Sequence, residues 1–223
     1  MESGVITGDI VGSTKFDHSN REVFLIALNK TIAEANQYFE PSEKIISQIF
    51  RGDSFQILLP KAEDALRLAI LIRLGLILIK DTYTYTNINS KKPIEWDARV
   101  SVGIGSLDYI NEDILLSDGE AFHNSGRAFD KLKKSRLTVR TPWEDLNEEF
   151  EVECFLADVI IKRLSGKQAE ITYNFLLRKI TQKKLAKELG LKPQNINKSL
   201  SYGGIALEEF IKRYETLIRR NGR

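Results

Sequence analysis

The chain has 223 residues, 42% of them hydrophobic, with 33 basic and 31 acidic side chains and a net charge of +2. That is enough apolar material for one large or two unequal cores. So small a net charge excludes any argument for a nucleic-acid partner from global charge, and leaves it to local clusters. A single cysteine, Cys154, cannot form an intrachain disulfide, and Met1-Glu2-Ser3-Gly4 opens without a basic and then apolar leader pattern. A cytoplasmic protein is expected.

In chain order, residues 4–11 (GVITGDIV) read as a buried strand and residues 19–39 as a helix, with Ser19 a candidate cap. Residues 44–51 and 54–59 are two strands joined at Gly52-Asp53, a hairpin turn signal. Residues 62–80 form a second helix, which holds the longest apolar run, 65–79. Arg67 and Arg73 interrupt that run, and it falls short of the roughly 20 residues that cross a bilayer. It suits a buried or dimer-facing helix, and its apolar excess predicts a homodimer through this domain. Residues 81–93 are polar and turn-rich, a loop. Residues 95–105 alternate as a strand, 119–134 form a third helix ending at Lys131, Lys133 and Lys134, and 136–141 form a short strand stopped by Pro142. Only helices follow. The order β-α-β-β-α-β-α-β is a split, ferredoxin-like pattern, so the fold expected is α+β: an α/β domain at 1–142, a helical connector at 143–166 and an all-α domain at 167–223.

Residues 181–200 read TQKKLAKELGLKPQNINKSL. Thr181 can cap a helix whose Leu185, Ala186 and Leu189 face inward. Gly190 supplies the positive-φ turn, and Pro193 suits the first turn of the next helix. Ile196 and Leu200 then face a small core closed by Ile171, Phe175, Leu176, Leu207, Phe210 and Ile211. Lys192, Gln194, Asn195, Asn197, Lys198 and Ser201 are left outside, residue types that reach phosphates and base edges from a helix in the major groove. The stretch resembles the helix-turn-helix of bacterial regulators and sigma-like factors. The competing reading is a plain helical hairpin that packs or dimerises.

Three pieces of the first domain carry candidate chemistry. Gly8-Asp9-Ile10-Val11-Gly12-Ser13-Thr14 ends a strand in a carboxylate beside a glycine turn, a place for phosphates and a metal. Arg51-Gly52-Asp53-Ser54-Phe55 puts a carboxylate on the hairpin tip, where Asp9 and Asp53 can converge. On the third helix, His123 and Arg127 share a face at i, i+4. Each has a bland alternative: Asp9 as a helix cap, Gly52-Asp53 as turn chemistry, Arg127 as the partner of a surface carboxylate. His18 reads as solvated, and Phe55, Phe122 and Phe129 as core.

In that order, GDIVGST, RGDSF and RVSVGIG…GEAFHNSGRAFDKL resemble the class III nucleotidyl cyclase domain over residues 4–141, and also the SatD-like bacterial family, which joins such a domain to a helical tail. The resemblance implies a nucleotide-cyclase-type domain. It implies Asp9 and Asp53, with the Ile10 carbonyl, as ligands of Mg²⁺ or Mn²⁺. Gly12, Ser13, Thr14 and Arg51 would lie at the nucleotide phosphates. Arg127 would stabilise the transition state, and His123 or the adjacent Asn124 would take the transition-state asparagine's place. The family's adenine-reading lysine is Ile49 here, and its base-reading aspartate has no clean counterpart, Asp118 being nearest. The functions this predicts are a nucleotide-responsive DNA-binding transcription regulator or, alternatively, an active cyclase, with an interaction protein lacking both activities as the third reading.

Overall fold

The computed structural model describes residues 2–16, 18–39, 44–50, 52–82 and 95–222. Its α/β part runs β1 (Ser3–Ile10), α1 (His18–Tyr38), β2 (Ile46–Phe50), β3 (Ser54–Leu59), α2 (Ala65–Thr82), β4 (Ala98–Gly105), α3 (Glu120–Lys131) and β5 (Leu137–Arg140). Then come α4 (Glu144–Arg163), α5 (Gly166–Arg178), α6 (Gln182–Glu188), α7 (Pro193–Leu200) and α8 (Gly204–Asn221). Ser19, expected to cap, is already inside α1, and α3 stops at Lys131, because Leu132 turns to extended backbone and leaves Lys133 and Lys134 beyond the helix. Of the expected loop at 81–93, residues 83–93 lie outside the described residues.

The five strands form one sheet in the order β2-β3-β1-β4-β5. β1 is central and antiparallel to both β3 and β4, while β4 and β5 run parallel. Successive side chains of a strand leave opposite faces. Val5 accordingly packs with Leu58, Ala121 and Phe122 beneath α3, whereas Ile6 joins Ile57, Val102 and α2 on the other face. This two-sided burial is why residues 4–11 read as a continuous apolar run rather than an alternating one. Gly103 lets α3 lie against β4: a Cβ there would stand 2.1 Å from the Ser125 amide nitrogen.

The apolar excess of α2 is used within the chain. Leu66, Leu68, Ala69, Ile70, Leu71, Ile72 and Leu74 are all at most 1% exposed, because the sheet, α1, α5 and α8 surround the helix. A helix that is apolar all round is a buried helix, and the face from which a dimer was expected is covered by α5 and α8. Among the described residues, no helix is long and apolar enough to cross a membrane.

The two arginines that interrupt α2 are what its neighbours are tied to. Arg67, 2% exposed, gives hydrogen bonds to Glu215 at 2.8 and 3.1 Å, to Glu208 at 3.0 Å and to the Leu176 carbonyl at 2.9 Å, reaching α8 and α5 together. Arg73, fully buried, forks onto Asp97 with two bonds of 2.8 Å and lies 2.8 Å from Asp158 of α4. Arg136 adds a 2.8 Å bond to Asp97. A buried charge persists only when so paired, and removing one partner costs about 3–5 kcal/mol.

The stretch expected as a connector is built into the core. Phe150, Cys154, Ala157 and Ile161 of α4 are buried with the α/β residues, and Phe150 packs against Phe210 and Tyr214 of α8 at ring separations of 6.4 and 5.5 Å. The small C-terminal core holds Ile171, Leu185, Ala186, Ile196 and Leu200, with Phe175 against it, but Leu176, Leu207, Phe210 and Ile211 belong to the main core instead. One continuous core therefore runs through both halves, and α6 and α7 alone sit on a separate one.

Candidate functional site

At the end of β1 the register puts Asp9 opposite Ser54 on β3 and Arg99 on β4. Arg99 forks onto the carboxylate: Nε donates to Oδ1 at 2.8 Å and Nη2 pairs with Oδ2. The Asp9 hydrogen bond holds the Arg99 guanidinium above its usual pKa, and its carbon lies 5.3 Å from the Phe129 ring centroid, a cation–π seat. The amide of Ile10 donates to the Asp53 carbonyl at 3.0 Å, so the two aspartates do stand at adjacent strand ends. The Asp53 carboxylate accepts from Ser54 Oγ at 3.4 Å. Gly52 has φ +78 and Gly12 φ +70, the conformations that favour glycine at turns. Ser13 begins a short 3₁₀ turn, with Gly12 and Thr14 exposed. Arg51 lies outside the described residues.

Asp9, Asp53 and the Ile10 carbonyl are hard oxygen donors of the kind Mg²⁺ takes. As arranged, they do not fit a divalent ion, because both Asp9 oxygens are already held by a cation. Among the described residues, no cluster of three or more His, Cys, Asp or Glu could hold a metal. Asp9 caps no helix either: in this structure it is half of a cross-strand ion pair with Arg99.

The third motif lies elsewhere. His123 turns to Asp118, 2.9 Å away on the exposed surface. Asn124 Nδ2 donates to the Ile104 carbonyl at 2.8 Å and so fastens α3 to β4. Arg127 is exposed and makes no ion pair among the described residues. With Asn124 it borders a groove of about 550 Å³ between α3, β5 and α4, rimmed by Lys131, Lys133, Lys134 and Arg140. Neither Asp9 nor Asp53 borders this groove.

The C-terminal helices carry a third candidate surface. Thr181 Oγ1 accepts from the Lys184 amide and caps α6, Gly190 turns the chain at φ +64, and Pro193 opens α7. The Leu191 amide returns to the Ala186 carbonyl at 2.9 Å and closes the turn. Ile196, Ser199 and Leu200 are buried, whereas Lys192, Gln194, Asn195, Asn197, Lys198 and Ser201 are all exposed. Asn197 donates to Gln182 at 3.2 Å, and the Ser201 hydroxyl donates back to the Lys198 carbonyl.

No protein-family model matches the chain, and no curated protein matches its sequence. Among solved structures it is similar to the active GGEEF domain of a diguanylate cyclase from Vibrio cholerae, at 19% identity over 65% of this chain and 85% of that chain, with a TM-score of 0.40.

Sequence reasoning missed Arg99. Its signal was available: an arginine in an otherwise apolar strand that must pair antiparallel with the strand bearing Asp9. It also missed Arg140 and the groove where Arg127 and Asn124 meet α4, because nothing local in residues 143–166 says which strand they cover.

Proposed function

We propose that the chain is a DNA-binding regulator. Its α6–α7 pair acts as a helix-turn-helix, and its ferredoxin-like, cyclase-type α/β part serves as a nucleotide-binding sensor. The observation that carries this reading is α7, whose buried side is confined to Ile196, Ser199 and Leu200 while Gln194, Asn195, Asn197 and Lys198 project outward, flanked by the exposed cap residues Lys192 and Ser201. The local charge agrees. Lys183, Lys184, Lys187, Lys192 and Lys198 are exposed on this pair, and its one carboxylate, Glu188, is held by Arg178 at 2.7 Å. A surface of that sign attracts the phosphate backbone. Gln194 and Asn195, in the first turn of α7, are placed to reach base edges, and Lys198 to give a flexible charge to a phosphate.

For the sensor, the support is the Gly12–Thr14 turn, exposed at Gly12 and Thr14, which begins three residues after the Asp9 that Arg99 holds. No metal belongs to this reading, since Arg99 occupies Asp9. An active cyclase would need Asp9 released from Arg99 and Asn124 released from Ile104.

Selection from a random duplex pool at low salt, followed by gel shift, tests the DNA reading. Lys198→Ala should weaken binding uniformly across sequences and flatten the salt slope by about one. Asn195→Ala should cost about 1–3 kcal/mol and relax one base pair. Retention of no duplex at low salt overturns it.

A further inference from the structure

The strongest unexplained surface is the outer side of α4. Val152, Phe155 and Leu156 are 61%, 59% and 54% exposed, the largest cluster of exposed apolar side chains on any one helix among the described residues. Val159 continues the line at half burial. The spacing is i, i+3, i+4, i+7, so the four make one stripe along a 20-residue helix whose opposite side, Phe150, Cys154, Ala157 and Ile161, is locked in the core. Beside it runs a groove of about 450 Å³ between α4 and α8, lined by Leu156, Ile160, Leu207 and Phe210 among others. Contiguous exposed apolar surface of this kind marks an interface.

What covers it is written in the charges at the two ends of the same stripe. N-terminal to the apolar residues stand Asp145 and Glu148, and C-terminal to them stands Arg163. All three are exposed, and none makes an ion pair among the described residues. A helix with acid at one end of its open face, base at the other and apolar residues between is complementary to itself turned end for end. Set two copies antiparallel with Phe155 of one opposite Leu156 of the other. Val152 then falls opposite Val159, and Glu148 opposite Arg163. Every pair occurs twice, as a two-fold interface requires.

We infer that α4 is the self-association surface of this protein: two copies pair antiparallel through Val152, Phe155, Leu156 and Val159, with Glu148–Arg163 contacts at both ends. The surface is distinct from α2, whose apolar faces are buried within one chain, and the inference does not depend on what α7 binds. It gives the DNA reading a two-fold axis, and so predicts paired half-sites in any selected duplex.

Light scattering after size exclusion, on the full chain at tens of micromolar, is the test. The wild type should run as a dimer. Phe155→Glu should run as a monomer with the wild-type melting temperature, since Phe155 lies outside the core. Glu148→Lys and Arg163→Glu should each weaken association by roughly tenfold, through like charges facing each other at both ends. The double variant E148K/R163E should restore it, because the swap rebuilds both pairs with the signs exchanged. A wild-type monomer at these concentrations overturns the inference and leaves the stripe to a different partner. So does a dimer that survives Phe155→Glu, or a double variant no tighter than the singles.

Discussion

Asp9 shows what a residue type cannot reveal. Its position at the end of a buried strand was legible, because glycine and apolar neighbours fix the strand, but its partner was not. Arg99 sits 90 residues away, and only the β1–β4 register brings the two together. The same holds for Arg73, which in sequence merely interrupts an apolar run. The pair it makes with Asp97 has a measurable consequence. Arg73 and Arg136 hold the Asp97 carboxyl below its ordinary value of 3.8, outweighing the opposing effect of burial. A depressed carboxylate contributes stability that is present above its unfolded pKa and lost as pH falls through the folded one. Acid unfolding of the wild type should therefore begin below about pH 4, and Asp97→Ala should lose about 3 kcal/mol at neutral pH by taking from buried Arg73 the carboxylate it forks onto and leaving it Asp158 alone, both readable by urea titration. Cys154 is the converse case. Burial, with Glu153 next in effect, pushes its thiol well above the ordinary 9.0. It should not react with a thiol reagent in the native protein at neutral pH and should react fully in denaturant; rapid native labelling would contradict its place on the buried face of α4.

At the scale of elements, local signals worked where the physics is local. The Thr181 cap, the Gly190 turn and Pro193 at the start of α7 depend on residues a few positions apart, and all three were readable. The role of α4 was not, because its acidic start and apolar finish do not say which half of the molecule it covers. Gly103 lies between these cases. An isolated glycine in a strand hints at a close approach, but the sequence does not say what approaches. Here it is the backbone of α3: a Cβ would stand 2.1 Å from the Ser125 nitrogen and 2.3 Å from the Ala121 carbonyl oxygen. Backbone cannot turn aside as a side chain can. Gly103→Ala should therefore cost about 3 kcal/mol, the upper end for overpacking, and a chemical-denaturation midpoint near wild type would show that α3 does not lie against β4 as described.

For the whole molecule, the sequence suggested a head, a connector and a tail, and the packing divides the chain differently. α5 and α8 close the far side of α2, and Arg67 holds both of them through Leu176, Glu208 and Glu215. Cutting the chain after Ser165 would therefore not release a sensor from a DNA reader. It would expose the faces of Leu66, Ile70 and Leu74 and leave Arg67 without its carboxylates. That fragment should aggregate and bind a hydrophobic dye, as a core cut open does. Only α6 and α7 rest on a core of their own, so the separation has to be made there. Ile196 is fully buried in that small cluster, and Ile196→Asp places an unpaired charge in it. The variant should lose the order of α6 and α7 while the main core keeps a cooperative thermal transition close to that of the wild type. Leu207→Asp, in the main core, should abolish that transition altogether. Calorimetry on the two variants separates the cases: an equal collapse in both would mean that α6 and α7 are as integral to the main core as α8.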